Sequence, residues 1–274
     1  NRSDTNLFEF EETKKLIEKC QPDALIIAAA RVGGIVANNT KRTEFILENL
    51  KINMNLLESC IPYPNIKIIN LGSSCIYPLE ALNPIIEDSF MTGKLEPTNS
   101  PYAMAKIASI EIGRSISGQY GHNVINLMPT NLYGPNDFYS KTDSHVIPGL
   151  IYRMHNAKIK RENAFYIWGT GSPLREFLYV DDLALAIKFI LDNKISQDLL
   201  NIGSGQEISI KDLAIKIKKI IGYEGSLDFD STKPDGNPRK LLDSSAINNL
   251  GWESSISLDE GLEKSYEWFL NNKI

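Results

Sequence analysis

The stretch Asn65-Ile66-Lys67-Ile68-Ile69-Asn70-Leu71-Gly72-Ser73-Ser74-Cys75 decides the fold. Its apolar run is short and rich in isoleucine, and a glycine and two serines close it. Such a run reads as a buried strand of a parallel sheet that ends in a tight polar turn. Upstream, Asp23-Ala24-Leu25-Ile26-Ile27-Ala28-Ala29-Ala30 has the same character and ends in small residues. Downstream, Asn123 to Met128 predicts a third strand, closed by Pro129-Thr130-Asn131-Leu132-Tyr133-Gly134-Pro135. Helical periodicity fills the gaps: residues 10–20, Phe45 to Cys60, and Ser100 to about Tyr120. Strands alternating with helices predict an α/β fold with a doubly wound parallel sheet. Ligands sit beyond the carboxyl ends of such strands, so the Ala28, Ser73 and Asn131 tips are expected along one crevice.

After Pro135 the rhythm weakens. Glu176 to Val180 predicts one more strand, Asp181-Asp182 opens a helix to about Leu191, and Leu199 to Ile202 reads as a short strand. Ser209 with Asp212, and Ser257 with Glu260, have the spacing of capping boxes for two late helices. Between them lies a rigid polar loop, Lys233-Pro234-Asp235-Gly236-Asn237-Pro238-Arg239-Lys240. The expected organisation is one Rossmann-type domain, 1–135 plus 176–202, and a smaller C-terminal lobe, 136–175 plus 203–274.

The totals bound the function. A chain of 274 residues with net charge -5 has room for a real core and no nucleic-acid surface. No apolar run approaches a membrane span. The three cysteines, Cys20, Cys60 and Cys75, are far apart and odd in number, which points to a reducing, cytoplasmic setting. With three histidines and no Cys-x-x-Cys, no metal site is expected.

The chemistry centres on Ser100-Pro101-Tyr102-Ala103-Met104-Ala105-Lys106. Ser100 suits a helix N-cap and Pro101 the first helical position. Tyr102 and Lys106 are four apart and share a helix face. An ammonium beside a phenol is expected to lower the phenol's pKa, and the helix N-terminus pushes the same way. A general acid for a carbonyl oxygen has that character. Taken alone, most Tyr-x-x-x-Lys pairs are a helix face in water. Ser73 adds a second hydrogen-bonding group at a neighbouring strand end.

Ser73, Tyr-x-x-x-Lys and the alternating pattern together resemble the extended short-chain dehydrogenase/reductase family. Longer blocks sharpen this, from Ala-Ala-Ala-Arg-Val-Gly-Gly at 28–34 through Leu-Gly-Ser-Ser-Cys-Ile-Tyr-Pro at 71–78 and Ser-His-Val-Ile-Pro at 144–148 to Trp-Gly-Thr-Gly-Ser-Pro-Leu-Arg-Glu-Phe at 168–177. They resemble the branch that converts GDP-4-keto-6-deoxy-D-mannose to GDP-L-fucose with NADPH. The activity so implied is epimerisation at C3 and C5, then reduction at C4, by a homodimer paired through the Phe45–Cys60 and Tyr102–Tyr120 helices.

By this resemblance Tyr102 is the general acid, Ser73 its partner, and Lys106 binds the nicotinamide ribose. Leu71, Gly72, Ser73, Ser74, Pro129, Thr130, Asn131, Leu132 and His145 fall at the NADPH site. Cys75 and His145 are the implied acid and base of epimerisation. The alternatives are a small buried hydrophobe and a loop histidine capping a backbone group. Arg153, Trp168, Arg175 and Asp235 match positions that bind the GDP-sugar, with a core position as the alternative for Trp168. A dehydratase of the superfamily is expected to carry acidic residues just after the serines, where this chain has Cys75-Ile76. A non-catalytic nucleotide-sugar-binding homologue is the other competitor, and the intact Ser73, Tyr102 and Lys106 argue against it.

One departure is large. The family opens with a strand and a Gly-x-x-Gly-x-x-Gly turn that holds the cofactor pyrophosphate at a helix N-terminus. Here Asn1-Arg2-Ser3-Asp4 falls near the end of what would be the second strand. The expected sheet is therefore a Rossmann type lacking its first βα unit, and the isolated stretch is expected to bind NADPH poorly and to aggregate. Arg2 falls where the family holds the 2′-phosphate, which a guanidinium fork suits. The alternative is a frayed terminal arginine in water.

Overall fold

The apolar runs near the start of the chain form neighbouring parallel strands in the computed structural model, which describes residues 3–140, 144–233 and 235–272. In chain order the elements begin with α1 (Phe10–Cys20), β1 (Ala24–Ile27), α2 (Ile35–Thr40), α3 (Arg42–Cys60), β2 (Lys67–Leu71), α4 (Ser100–Tyr120) and β3 (Val124–Pro129). There follow β4 (Asn131–Tyr133), α5 (Val146–Ile159), β5 (Ala164–Trp168), β6 (Leu174–Tyr179), α6 (Val180–Asp192), β7 (Leu199–Ile202) and β8 (Glu207–Ser209). The last are α7 (Ile210–Ile221), β9 (Ser226–Asp230), β10 (Arg239–Lys240), α8 (Ser245–Leu250) and α9 (Leu258–Asn271). They divide into two units, one within Asn1–Ala81, Glu87–Pro129 and Ile187–Ile202, the other within Leu82–Ile86, Thr130–Ala186 and Gly203–Ile274.

The first unit holds a parallel sheet in the order β1-β2-β3-β7, a Rossmann-like arrangement. Ile69 lies opposite Ile26 and Ile125, and Leu127 opposite Leu200. β3 and β7 are buried throughout, apolar but for Asn126 and Asn201. Ile17 of α1, Leu56 and Leu57 of α3 and Ile116 of α4 pack with Ile68 and Val124 of the sheet. Lys67 on β2 donates to the carbonyls of Ile190, Leu191 and Asn193, which closes the end of α6 with a cation.

The second unit holds the sheet β10-β6-β4, with β8 antiparallel to β6, and a separate β5-β9 pair. Leu150 and Met154 of α5, Leu213 and Ile217 of α7, and Phe269 of α9 form its core with Phe165 of β5. Both serines cap their helices: Ser209 accepts from the Asp212 N–H, and Ser257 from the Glu260 N–H.

Three sequence expectations change. The strand expected at 176–180 runs from Leu174 to Tyr179 and belongs to the second unit's sheet, where its backbone pairs with β4, β8 and β10. The tip at Asn131 is itself a short strand, β4. Ser100 is the first residue inside α4, after the cap position Asn99. The Glu96 carboxylate satisfies the Thr98 and Asn99 N–H groups upstream, which leaves the Ser100 hydroxyl to accept from Arg42.

Candidate active site

In the first unit the site grows from the end of β2. Gly72 follows the strand in contact with β3: a Cβ there would lie 2.1 Å from Met128 Cε. Ser73 is extended, and its Oγ accepts from the Cys75 N–H at 3.3 Å, opening a tight turn over Ser74–Ile76. Ser74 and Cys75 are buried. The turn is anchored at its far side, where the Tyr77 hydroxyl donates to Asn201 Oδ1 of β7 at 2.6 Å.

Pro101 in the first turn of α4 sets Tyr102 and Lys106 on one face. Lys106 is 2% exposed, and its Nζ donates to the Leu71 carbonyl at 2.7 Å. That nitrogen stands 5.9 Å from the centroid of the Tyr102 ring. Burial pushes the Lys106 ammonium down to about 8, against a smaller opposing pull from Cys75. Burial also pushes the Tyr102 phenol well above its ordinary range; Cys75 adds to this, and hydrogen bonding with Ser73 opposes it. The expected lowering of Tyr102 is thus corrected: desolvation of the phenol outweighs any help from the neighbouring cation. A phenol held protonated is still suited to donating a proton. The Cys75 thiol thus acts electrostatically on both Tyr102 and Lys106.

In the second unit, Arg153 on α5 lies 5.3 Å from the Phe165 ring centroid and 5.8 Å from that of Trp168. Trp168 is 49% exposed, on the outward-facing side of β5, so the core alternative fails. Gly169, next along, has a positive φ of 79°, and a Cβ there would meet Asp235 Oδ1 at 2.2 Å. Asp235 accepts from the Thr170 N–H at 2.7 Å and from its hydroxyl at 2.9 Å. Its charge acts on Arg175, which burial otherwise pushes down. Arg153, Trp168, Arg175 and Asp235 therefore gather in one neighbourhood, with the carboxylate already turned to Thr170.

The remaining candidates also lie in identified places. Leu71 and Pro129 end β2 and β3 of the first unit. Thr130, Asn131 and Leu132 belong to the second unit, where the Thr130 hydroxyl and Asn131 amide both donate to the Glu176 carbonyl. His145 is exposed at the N-cap of α5, and its side chain makes no capping bond, so the capping alternative fails. Arg2 lies outside the described residues. Sequence reasoning missed Glu176, Phe45 and Arg42. Glu176 is fully buried, and its carboxylate accepts from the N–H groups of Gly205 and Leu242. Arg42 donates to the carbonyls of Pro97 and Thr98 and to Ser100, ahead of Tyr102. Nothing in their spacing marks these residues.

A parallel sheet whose strand end carries serine and cysteine, beside a helix with tyrosine above a buried lysine, defines a short-chain dehydrogenase/reductase type of protein. Residues 1–203 match the NAD dependent epimerase/dehydratase family, and the chain belongs to it. GDP-L-fucose synthase 1 of Arabidopsis thaliana is 50% identical over 252 residues, covering 92% of this chain and 78% of that protein. GDP-L-fucose synthase of Escherichia coli (strain K12) is 44% identical over 283 residues, covering 99% and 88%. A GDP-L-fucose synthetase from Naegleria fowleri, solved with NADP bound, superposes with a TM-score of 0.90 at 27% identity, covering 100% of this chain and 85% of that one.

Proposed function

We propose that this protein converts GDP-4-keto-6-deoxy-D-mannose to GDP-L-fucose, epimerising C3 and C5 and then reducing C4 with NADPH. The observation that carries the proposal is the cluster of Ser73, Cys75, Tyr102 and Lys106 at one strand end. Lys106 fits the coenzyme: one of its three N–H groups holds the Leu71 carbonyl, which leaves two for vicinal ribose hydroxyls. When bound, NADPH supplies the hydride for C4. Tyr102 donates the proton to the C4 oxygen, and Ser73 holds that oxygen with a second hydrogen bond. Leu71, Gly72, Ser74, Pro129, Thr130, Asn131 and Leu132 line the coenzyme, and Arg2 meets its 2′-phosphate.

The C4 ketone acidifies the C–H bonds at C3 and C5, and Ser73 and Tyr102 stabilise the enolate oxygen. Inversion needs one group to take a proton and another to return it from the opposite face. A thiol and an imidazole suit that exchange, so Cys75 and His145 have these roles. Arg153 and Arg175 meet the diphosphate and Trp168 packs on the nucleotide or sugar. Asp235 reaches a hydroxyl if it releases Thr170. Ser73, Tyr102 and Lys106 of the first unit take the nicotinamide end of NADPH, and Arg153, Trp168, Arg175 and Asp235 of the second take the sugar nucleotide. The working form is a cytoplasmic homodimer; three cysteines outside any disulfide fit a reducing compartment, and no helix among the described residues is long and apolar enough to cross a membrane.

The test is isotope exchange in deuterium oxide. The unaltered protein incorporates deuterium at C3 and C5. Cys75→Ser loses most of this exchange while still binding NADPH. Undiminished exchange in both Cys75→Ser and His145→Asn removes the two residues from the mechanism.

A further inference from the structure

Phe45 lies on the buried face of α3 and is 2% exposed. Its ring meets that of Tyr102 edge to face, with centroids 6.3 Å apart and planes at 78°. The Arg31 guanidinium carbon stands 5.6 Å from the Phe45 centroid. Arg31 is itself fixed on α3. Its Nη1 donates to Glu48 Oε1 at 2.6 Å and its backbone N–H to Asn49 Oδ1 at 2.9 Å, while its carbonyl accepts from Asn49 Nδ2 at 3.0 Å. Gly33 lets the loop close over the ring: a Cβ there would stand 3.2 Å from Phe45 Cζ and 3.0 Å from Ala37 Cβ.

A ring packed on several sides keeps one rotamer. α4 fixes the Cα of Tyr102, but its χ angles still allow the phenol to swing, and Phe45 presents a rigid wall against that swing. We propose that Phe45 is a positioning residue for proton donation: held by the Arg31 loop, it keeps the Tyr102 hydroxyl aimed at the C4 oxygen. The inference rests on Tyr102 being the proton donor. Phe45 itself touches neither reactant and contributes to orientation alone.

The test compares Phe45→Leu, Phe45→Tyr and Tyr102→Phe in the full chain, with NADPH and the 4-keto sugar nucleotide. Phe45→Leu should lower kcat for reduction by roughly 10- to 10²-fold, the scale of a reacting group misplaced by about an ångström. Both KM values should stay within about twofold, since binding contacts are unchanged. The isotope effect with deuterated NADPH should rise, and exchange at C3 and C5 should slow as well, because the same hydroxyl holds the enolate oxygen. Phe45→Tyr keeps the ring and should recover most of kcat. A stable Phe45→Leu with unaltered kcat overturns the proposal. So does a loss of kcat that only follows a rise in KM, or a loss of the cooperative melt in both Phe45 variants. Full turnover by Tyr102→Phe would mean that the donor assignment has failed; an inactive Tyr102→Phe beside a normal Phe45→Leu places the failure at Phe45.

Discussion

At the scale of single residues, the proton donor and the buried cation make separable predictions. Tyr102→Phe removes one hydroxyl from a half-buried ring and leaves the packing with Phe45 in place. Turnover of NADPH should fall by roughly 10²–10⁴-fold, the loss of a general acid, with an unchanged melt. Lys106 is charged below about 8 and neutral above it, because burial disfavours the ammonium. A ligand hydrogen-bonded to the ammonium binds the charged form. NADPH affinity should therefore weaken as pH rises from about 7 to about 9, and Lys106→Met should bind weakly without that step. Fluorescence titration across this range checks both; a flat profile in the unaltered protein removes Lys106 from the ribose. Of these features the sequence showed the pair's spacing, because i and i+4 share a helix face whatever surrounds them. It hid the direction of the Tyr102 shift, which depends on how much water the folded neighbours exclude.

At the scale of elements, the Gly169 turn links β5 to β6 and packs against the loop that carries Asp235. Its φ of 79° and the 2.2 Å approach to Asp235 Oδ1 both exclude a side chain. Gly169→Ala adds about 1–2 kcal/mol of left-handed strain and pushes Asp235 off Thr170. The expected result is a higher KM for the sugar nucleotide with little change in NADPH affinity, read by calorimetry with GDP and with NADPH. Equal weakening of both ligands would contradict the assignment of Trp168 and Arg153 to the sugar nucleotide. Element by element, legibility follows length. β2 and β3 are readable because short runs dominated by isoleucine, leucine and valine, broken only by Lys67, Asn70 and Asn126, have few other fates, and the caps at Ser209 and Ser257 because a cap is local chemistry. β4, β8 and β10 have two or three residues each, and only pairing with β6 makes them strands. Ser100 has the spacing of a cap, but the helix starts one residue earlier, with Asn99 at the cap position and Glu96 holding the Thr98 and Asn99 N–H groups ahead of it.

At the scale of the molecule, α3 and α4 lie side by side and leave apolar side chains uncovered: Leu47, Met54 and Met104 are each close to half exposed. Met104 lines a groove with Arg42, Ile46 and Pro101. A second copy pairing through these helices would bury that surface. Light scattering should give a dimer for the unaltered protein and a monomer for Met104→Glu paired with Met54→Glu, since two carboxylates in an apolar seam cost several kcal/mol. A monomer before substitution would rule out the paired-helix interface.

Glu176 has a consequence for how functional residues in this protein are to be found. Its carboxylate gathers the N–H groups of Gly205 and Leu242, and its carbonyl gathers the side chains of Thr130 and Asn131. Burial raises its pKa and these hydrogen bonds oppose the rise. Three chain segments of the second unit thus hang on a single position. In a mutational scan scored by fucose output, Glu176 will read as intolerant as Tyr102, and an unpaired buried acid will invite a catalytic label. Abundance separates the two. Variants at Glu176 disappear from the cell's soluble protein, whereas Tyr102→Phe accumulates normally and does nothing.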